Sequence, residues 1–127
     1  MTKENNFTRG IASNLEIGDK SYAHNIQCWQ RHIEYLVRAA LGAGFLIGVN
    51  DGEETTLTHS SDFDKIMDAL WTTDEDYLLF YRIGEERHFG WVWLIYGNGP
   101  DEVTSDWTTN LDPLFMEDVN KFADTLF

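Results

Sequence analysis

Three side chains that commonly bind transition metals recur at steps of four residues: His24, Cys28 and His32. Residues four apart share one face of a helix, so the three together offer nitrogen and sulfur ligands of the kind that zinc prefers. The two histidines would nevertheless lie about 12 Å apart along a straight helix, which is too far for all three groups to reach one ion. We therefore predict no metal site, and a partly buried Cys28 beside two solvated imidazoles.

The same residues could form a nucleophile with its base, because a neighbouring imidazolium lowers the pKa of a thiol. The sequence around Cys28 supplies no orienting third group and no oxyanion hole that we can name. Gly-x-Ser-x-Gly and His-Glu-x-x-His are missing, and Gly97-Asn98-Gly99 lacks the third glycine and basic residue of a phosphate-binding loop. We predict a protein without catalytic activity or cofactor. The alternative is a small metal- or carboxylate-dependent hydrolase.

Acidic residues dominate the chemistry of the surface that we expect. The 22 Asp and Glu against 9 Lys and Arg give a formal charge of −13, which argues against direct binding to nucleic acid or to an anionic membrane. No cluster reproduces the Asp-x-Asp-x-Asp-Gly series of a calcium loop. Two interpretations stay open, a solubilising surface or a field that resembles duplex phosphates. The acidic candidates for partner binding are Asp51, Glu53, Glu54, Asp74, Glu75, Asp76, Asp101, Glu102 and Asp106.

Aromatic residues form the second group of candidates. The runs 77–83 and 89–96 are apolar at both odd and even positions, as in strands covered on two faces. Three helices over five strands would leave part of such a sheet uncovered, and an exposed aromatic patch is typical of a binding surface. The alternative is ordinary core packing. The aromatic candidates are Trp91, Trp93 and Trp107, with Tyr81 as a further member of the patch.

The candidate residues must be positioned by helices and strands. Apolar periodicity and turn signals predict where these elements lie in the sequence. Apolar residues at three- and four-residue steps predict helices over 26–41, 62–71 and 113–125. Ser60 or Ser61 is the predicted N-cap of the second helix, and Asp112 that of the third. Apolar runs between turn signals predict strands over 45–49, 55–59, 77–83, 89–96 and 102–108.

The connections between consecutive strands are short, so pairing must be mostly antiparallel. The predicted fold is α+β, a five-stranded mostly antiparallel sheet with three packed helices in the order α-β-β-α-β-β-β-α. Residues 1–24 carry no sustained apolar stripe and are predicted to form an N-terminal arm or loosely docked segment, followed by a single domain over 25–127. Cys28 is the only cysteine, which excludes an intramolecular disulfide and fits a reducing compartment. Without a signal-peptide pattern or an apolar span, we expect a cytoplasmic protein.

The stretch Gly90-Trp91-Val92-Trp93-Leu94-Ile95-Tyr96-Gly97-Asn98-Gly99-Pro100-Asp101-Glu102-Val103 resembles a family of small acidic proteins from bacteriophages and prophages. The resemblance includes Asn50-Asp51-Gly52-Glu53-Glu54, Thr73-Asp74-Glu75-Asp76 and Ser105-Asp106, and covers roughly residues 33 to 112. It is specific as a signature but carries no assigned activity. What it implies is a phage-encoded accessory protein in the cytoplasm of a bacterial host.

We therefore predict a non-enzymatic accessory protein that binds a host or phage protein. One form of this hypothesis is an acidic DNA mimic that inhibits a DNA-binding enzyme, for example one of host defence. The partner is expected to be a protein rather than nucleic acid or membrane, and a homodimer stays open.

Overall fold

The computed structural model of the protein describes residues 20–96 and 103–125. The elements follow the predicted order, so the α+β class is confirmed. No helix within these two ranges is both long and apolar enough to cross a membrane. The elements are α1 (Lys20–Gly42), β1 (Leu46–Asn50), β2 (Thr55–Ser60), α2 (Phe63–Ala69), β3 (Glu75–Tyr81), β4 (Gly90–Ile95), β5 (Thr104–Trp107), a 3-10 turn (Thr109–Leu111), a π-helical turn (Asp112–Met116) and α3 (Glu117–Asp124).

The five strands form one sheet in the order β2-β1-β3-β4-β5, and every neighbouring pair is antiparallel. β3 and β4 are joined by a turn that is too short for the crossover that a parallel pair needs. Their register places Tyr77 opposite Trp93 and Leu78 opposite Val92. The predicted antiparallel pairing is therefore confirmed, and α2 carries the chain from the edge strand β2 to a position beside β1.

One face of the sheet carries the hydrophobic core, because alternate strand residues and the apolar sides of the helices pack together there. The fully buried apolar side chains of the central strands are Ile47, Val49, Leu78, Phe80, Val92 and Leu94. The residues between them on β3 and β4 are partly exposed, so the predicted full cover of both faces is not seen within the described residues. The sequence misled because the second face is built largely from tyrosine and tryptophan, which count as apolar but tolerate partial exposure.

α1 begins at Lys20, six residues before its predicted start. The apolar stripe opens only at Ile26, so the preceding turns gave no periodic signal. Of the predicted N-terminal arm, residues 1–19 lie outside the described residues, and residues 20–24 belong to α1. The helix ends at Gly42, and Gly44 follows with a φ of 92°, a left-handed conformation that glycine adopts without strain.

The N-cap of α2 differs from the prediction. Asp62, rather than Ser60 or Ser61, accepts hydrogen bonds at Oδ1 from the backbone N–H groups of Asp64 and Lys65, at 3.0 and 3.3 Å. A carboxylate is a good cap here, since it also meets the positive end of the helix dipole.

The start of the last helical region also differs. The chain passes through the π-helical turn before α3, and neither element has a side-chain cap. Asp112 accepts a hydrogen bond from the indole Nε1 of Trp107 at 2.6 Å. Its carboxylate was predicted to cap the helix but binds this side chain instead. The other described boundaries lie within two residues of prediction, and the turn at 97–99 lies outside the described residues.

Candidate partner-binding surface

None of the three helices in the described part of the chain packs on the sheet face opposite the core. Side chains reach this face from alternate positions of the strands, and directly paired residues point to the same side. Trp93 pairs with Tyr77 on β3 and with Asp106 on β5, so aromatic and acidic groups share the surface. We call this surface the open face and define it by Glu75, Tyr77, Leu79, Trp91, Trp93, Ile95 and Asp106.

An aromatic stack occupies the middle of the open face. The rings of Tyr77 and Trp93 lie parallel, with centroids 5.8 Å apart and planes inclined by 6°. Trp91 meets the Tyr77 ring edge-on at 6.1 Å. The predicted candidates Trp91 and Trp93 are thus brought together through Tyr77, which sequence reasoning missed. The antiparallel register of the hairpin was the signal that would have found it, because it places Tyr77 directly opposite Trp93.

Tyr81 lies at the end of β3 but does not belong to the exposed stack. The Tyr81 side chain is buried beneath His59. The centroids of the two rings are 3.8 Å apart. His59 has a φ of 50°; its Nε2–H donates to the carbonyl of Glu85 at 2.9 Å. A Cβ at Gly48 would come within 2.9 Å of the Tyr81 ring, so only glycine leaves room for it. Tyr81 is therefore not a member of an exposed aromatic patch, and His59, which covers it, is half-buried.

Trp107 lies on the other side of the sheet. It pairs with Val92, a core residue, and its ring packs against the hydrophobic core. The hydrogen bond from its Nε1 to Asp112 satisfies its polar atom at the edge of the core. Trp107 is thus separated from Trp91 and Trp93, and its candidate role in partner binding is corrected to one in packing.

An acidic cleft of about 670 Å³ opens at the end of the sheet where β3 begins. The loop between β1 and β2 forms one wall, and the segment leading into β3 forms the other. Thr73 joins the walls by donating a hydrogen bond from Oγ1 to the carbonyl of Asp51 at 2.9 Å. Backbone N–H groups of Glu54 and Glu53 donate to Asp51 and lower the pKa of its carboxyl. The residues that line the cleft are Asp51, Gly52, Glu53, Thr73, Asp74, Glu75, Ile95 and Tyr96.

Glu75 joins the acidic cleft to the open face. Its Oε2 accepts a hydrogen bond from the indole Nε1 of Trp93 at 3.1 Å. Its other oxygen lies against Gly52, where an added Cβ would be only 2.7 Å from Oε1. Gly52 also has a φ of 100°, a backbone conformation that favours glycine. Cleft and aromatic stack therefore form one continuous surface, in which Glu75 is the shared residue.

Asp76 was predicted as a partner-binding acid, but the structure buries it completely. Its Oδ2 accepts hydrogen bonds from the Tyr96 hydroxyl at 2.5 Å and from the Trp71 backbone N–H at 3.1 Å. Within the described residues its Oδ1 has no hydrogen-bond partner, and burial raises the pKa of the carboxyl to about 6. Trp71, whose backbone N–H donates to Oδ2, has a left-handed backbone conformation with a φ of 67°. Asp76 thus fixes the segment before β3 from the inside and does not present charge to a partner.

The remaining acidic candidates fall in three places. Glu54 is exposed on the loop between β1 and β2, outside the lining of the acidic cleft. Asp106 is exposed on β5, where it is the cross-strand partner of Trp93 and accepts a hydrogen bond from the Trp107 backbone N–H at 2.9 Å. Asp101 and Glu102 lie outside the described residues.

The histidines around Cys28 differ from each other. His24 is exposed, and its Nε2 lies 3.6 Å from Cys28 Sγ. His32 is fully buried, neither ring nitrogen has a hydrogen-bond partner in the described residues, and burial lowers its pKa to about 4. The prediction of a solvated His32 was wrong. Cys28 is buried rather than partly buried, and burial raises the pKa of its thiol. Among the described residues no group of three His, Cys, Asp or Glu could hold a metal ion.

Comparison with known proteins finds no matching family model, no matching curated protein and no matching solved structure.

Proposed function

We propose that this chain is a non-enzymatic accessory protein that binds a protein partner through the open face. The observation that carries the proposal is the Tyr77–Trp93 stack on a sheet face that no described helix covers. Tryptophan and tyrosine contribute large contact areas at little cost in side-chain entropy, and they are enriched at protein interfaces. A phage or prophage origin, with a host or phage protein as partner, is the setting that the sequence resemblance implies.

The acidic cleft supports binding better than catalysis. A general acid or base needs a suitable pKa and access to the substrate. Asp51 is accessible, but backbone hydrogen bonds lower its pKa and so weaken it as a base. Asp76 has a pKa near neutrality, but it is fully buried and hydrogen-bonded to Tyr96. Of these two carboxylates, one is therefore accessible and the other has the pKa near neutrality.

DNA mimicry is the second candidate, and the acidic cleft is the observation that favours it. A mimic must gather its charge on one side, because a DNA-binding groove responds to local potential. Exposed acids also occur elsewhere, with Glu85 and Glu86 in the turn after β3 and Asp118 on α3. The two ends of β3 are about 20 Å apart. The exposed acidic residues are therefore spread over the molecule. This distribution supports a local acidic border of the open face better than a surface that resembles duplex DNA.

Photo-crosslinking tests the proposed function. A benzophenone-bearing phenylalanine analogue replaces Trp91 in one variant and Leu114 in another, and both are exposed to bacterial lysates with and without phage infection. Leu114 is the matched control because it is an exposed apolar residue, 45% accessible, on the π-helical turn that packs on the core side. We expect a discrete adduct from position 91 and none from position 114. Equal adducts at both positions, or none at position 91, would contradict the proposal.

A further inference from the structure

We propose that the open face docks a basic segment of the partner by placing an arginine guanidinium over Trp93, between the carboxylates of Glu75 and Asp106. This inference rests on the proposed function and names the chemistry that the surface recognises. The partner segment is a polypeptide, since the large negative charge of the chain disfavours a phosphate backbone.

The first step is the position of Trp93 among its neighbours. Tyr77 lies opposite it on β3 and stacks on its ring, while Asp106 lies opposite it on β5. Glu75 accepts the hydrogen bond from its indole Nε1. The half-exposed indole therefore has a carboxylate on the neighbouring strand at either side. A cation over an indole ring is attracted by the ring quadrupole, and flanking carboxylates add to this attraction.

The second step is charge complementarity along the surface. Beyond Glu75 the open face continues into the acidic cleft, whose lining contains Asp51, Glu53 and Asp74 but no lysine or arginine. The charged side chains that a basic segment would meet in the cleft on its way to Trp93 are all negative. A second copy of this chain fits the surface poorly, because each copy carries a formal charge of −13.

The third step separates arginine from lysine. A guanidinium is planar, is weakly hydrated, stacks on aromatic rings and donates two parallel hydrogen bonds to a carboxylate. An ammonium is a compact, strongly hydrated charge without a flat face. The combination of a parallel Tyr77–Trp93 stack with carboxylates beside it matches the planar group. The inferred specificity is thus for arginine and not for positive charge in general.

The test measures binding of a hexa-arginine peptide to the full chain by isothermal titration calorimetry at low salt, with hexalysine as the comparison. Glu75→Gln removes the charge but keeps an oxygen that accepts from the Trp93 indole. Glu86→Gln is the matched control, since it removes one exposed carboxylate from the turn after β3. We expect Glu75→Gln to weaken hexa-arginine binding about 10-fold, Glu86→Gln to leave it nearly unchanged, and hexalysine to bind several-fold more weakly.

Three results of the titration would overturn the inference: no binding of hexa-arginine, equally tight binding of hexalysine, or equal losses from the two glutamate variants. Circular dichroism and the melting temperature show whether Glu75→Gln is folded, and Asp106→Asn provides a second variant at the same ring if it is not. A dimer in sedimentation that Glu75→Gln disrupts would identify a second copy as the occupant and would also overturn it. If hexa-arginine does not bind while position 91 still forms its photo-crosslinked adduct, the proposed function holds. Only the inference that the open face recognises arginine is then wrong.

Discussion

Asp76 is a buried carboxylate with only one of its oxygens hydrogen-bonded in the described residues. Desolvation raises its pKa from the ordinary value of 3.8 to about 6, against the effect of the hydrogen bonds from Tyr96 and Trp71. Between those two values the unfolded chain ionises the group while the folded protein keeps it protonated. Its contribution to stability is therefore fully present below the ordinary pKa and is lost as the pH rises through about 6.

Asp76→Asn removes this titration. Between about pH 4 and pH 7 we expect the unfolding free energy of the variant to increase relative to that of the wild type by about 2.5 kcal/mol, since one pKa unit corresponds to about 1.4 kcal/mol. Urea denaturation at the two pH values measures the gain, and any constant offset from the amide cancels in the comparison. Asp74→Asn, at the exposed neighbouring position, is the control. A similar gain in the control would show that Asp76 is not its source.

His32 gives a pH dependence of the opposite sign. Burial lowers the pKa of its imidazole from 6.5 to about 4, so the folded protein holds it neutral where the unfolded chain protonates it. Its contribution to stability is present above the ordinary pKa and is lost as the pH falls toward about 4. Between these pH values the effects of His32 and Asp76 partly cancel in the wild type.

His32→Leu isolates this effect. As the pH falls from about 7 to about 4, we expect the variant to gain about 3 kcal/mol of unfolding free energy relative to the wild type, because leucine has no proton to bind. Denaturation curves at several pH values provide the measurement. His88→Gln is the matched control, because that side chain is exposed in the turn between β3 and β4. An unchanged pH profile for His32→Leu would mean that the imidazole is hydrated in the folded protein.

At the scale of elements, α2 is short and depends on its cap. The Asp62 carboxylate accepts two backbone N–H groups of the first turn. We expect Asp62→Ala to cost about 1 kcal/mol of unfolding free energy, which is typical for loss of an N-cap. Asp64→Ala, which removes a first-turn charge without removing the cap, should cost clearly less. Chemical denaturation of the two variants checks this, and equal losses would assign the effect to charge alone.

The helices and strands were largely predictable, because the spacing of apolar residues is local information. The face of the sheet on which each strand side chain lies was not. The hairpin register that places Tyr77 opposite Trp93 follows from a short turn. The side taken by Trp107 follows from its pairing with Val92, and residue spacing alone does not reveal the register of β4 and β5. Asp76 resembled its exposed neighbours in an acidic run, and its burial depends on Tyr96, 20 residues away. Contacts between distant segments thus decided which candidates reached the surface.

At the scale of the whole molecule, the negative charge has two components that differ in their surroundings. The acidic cleft gathers its carboxylates without a lysine or arginine in its lining. The turn between β3 and β4 instead places Glu85 and Glu86 close in sequence to Arg82 and Arg87. Repulsion should therefore be stronger in the cleft, and a local field is what steers a basic partner to one place.

Salt dependence distinguishes this local field from a uniform solubilising surface. The double variant Glu53→Gln with Asp74→Asn should raise the melting temperature by a few degrees at low salt, because it relieves repulsion in the cleft. The gain should disappear near 0.5 M NaCl, where the screening length is only about 4 Å. Glu85→Gln with Glu86→Gln removes the same charge beside arginines and should give little gain or a loss. Differential scanning calorimetry over a salt series compares the pairs. Equal responses would mean that the cleft has no field of its own, and that net charge alone brings a basic partner to this protein.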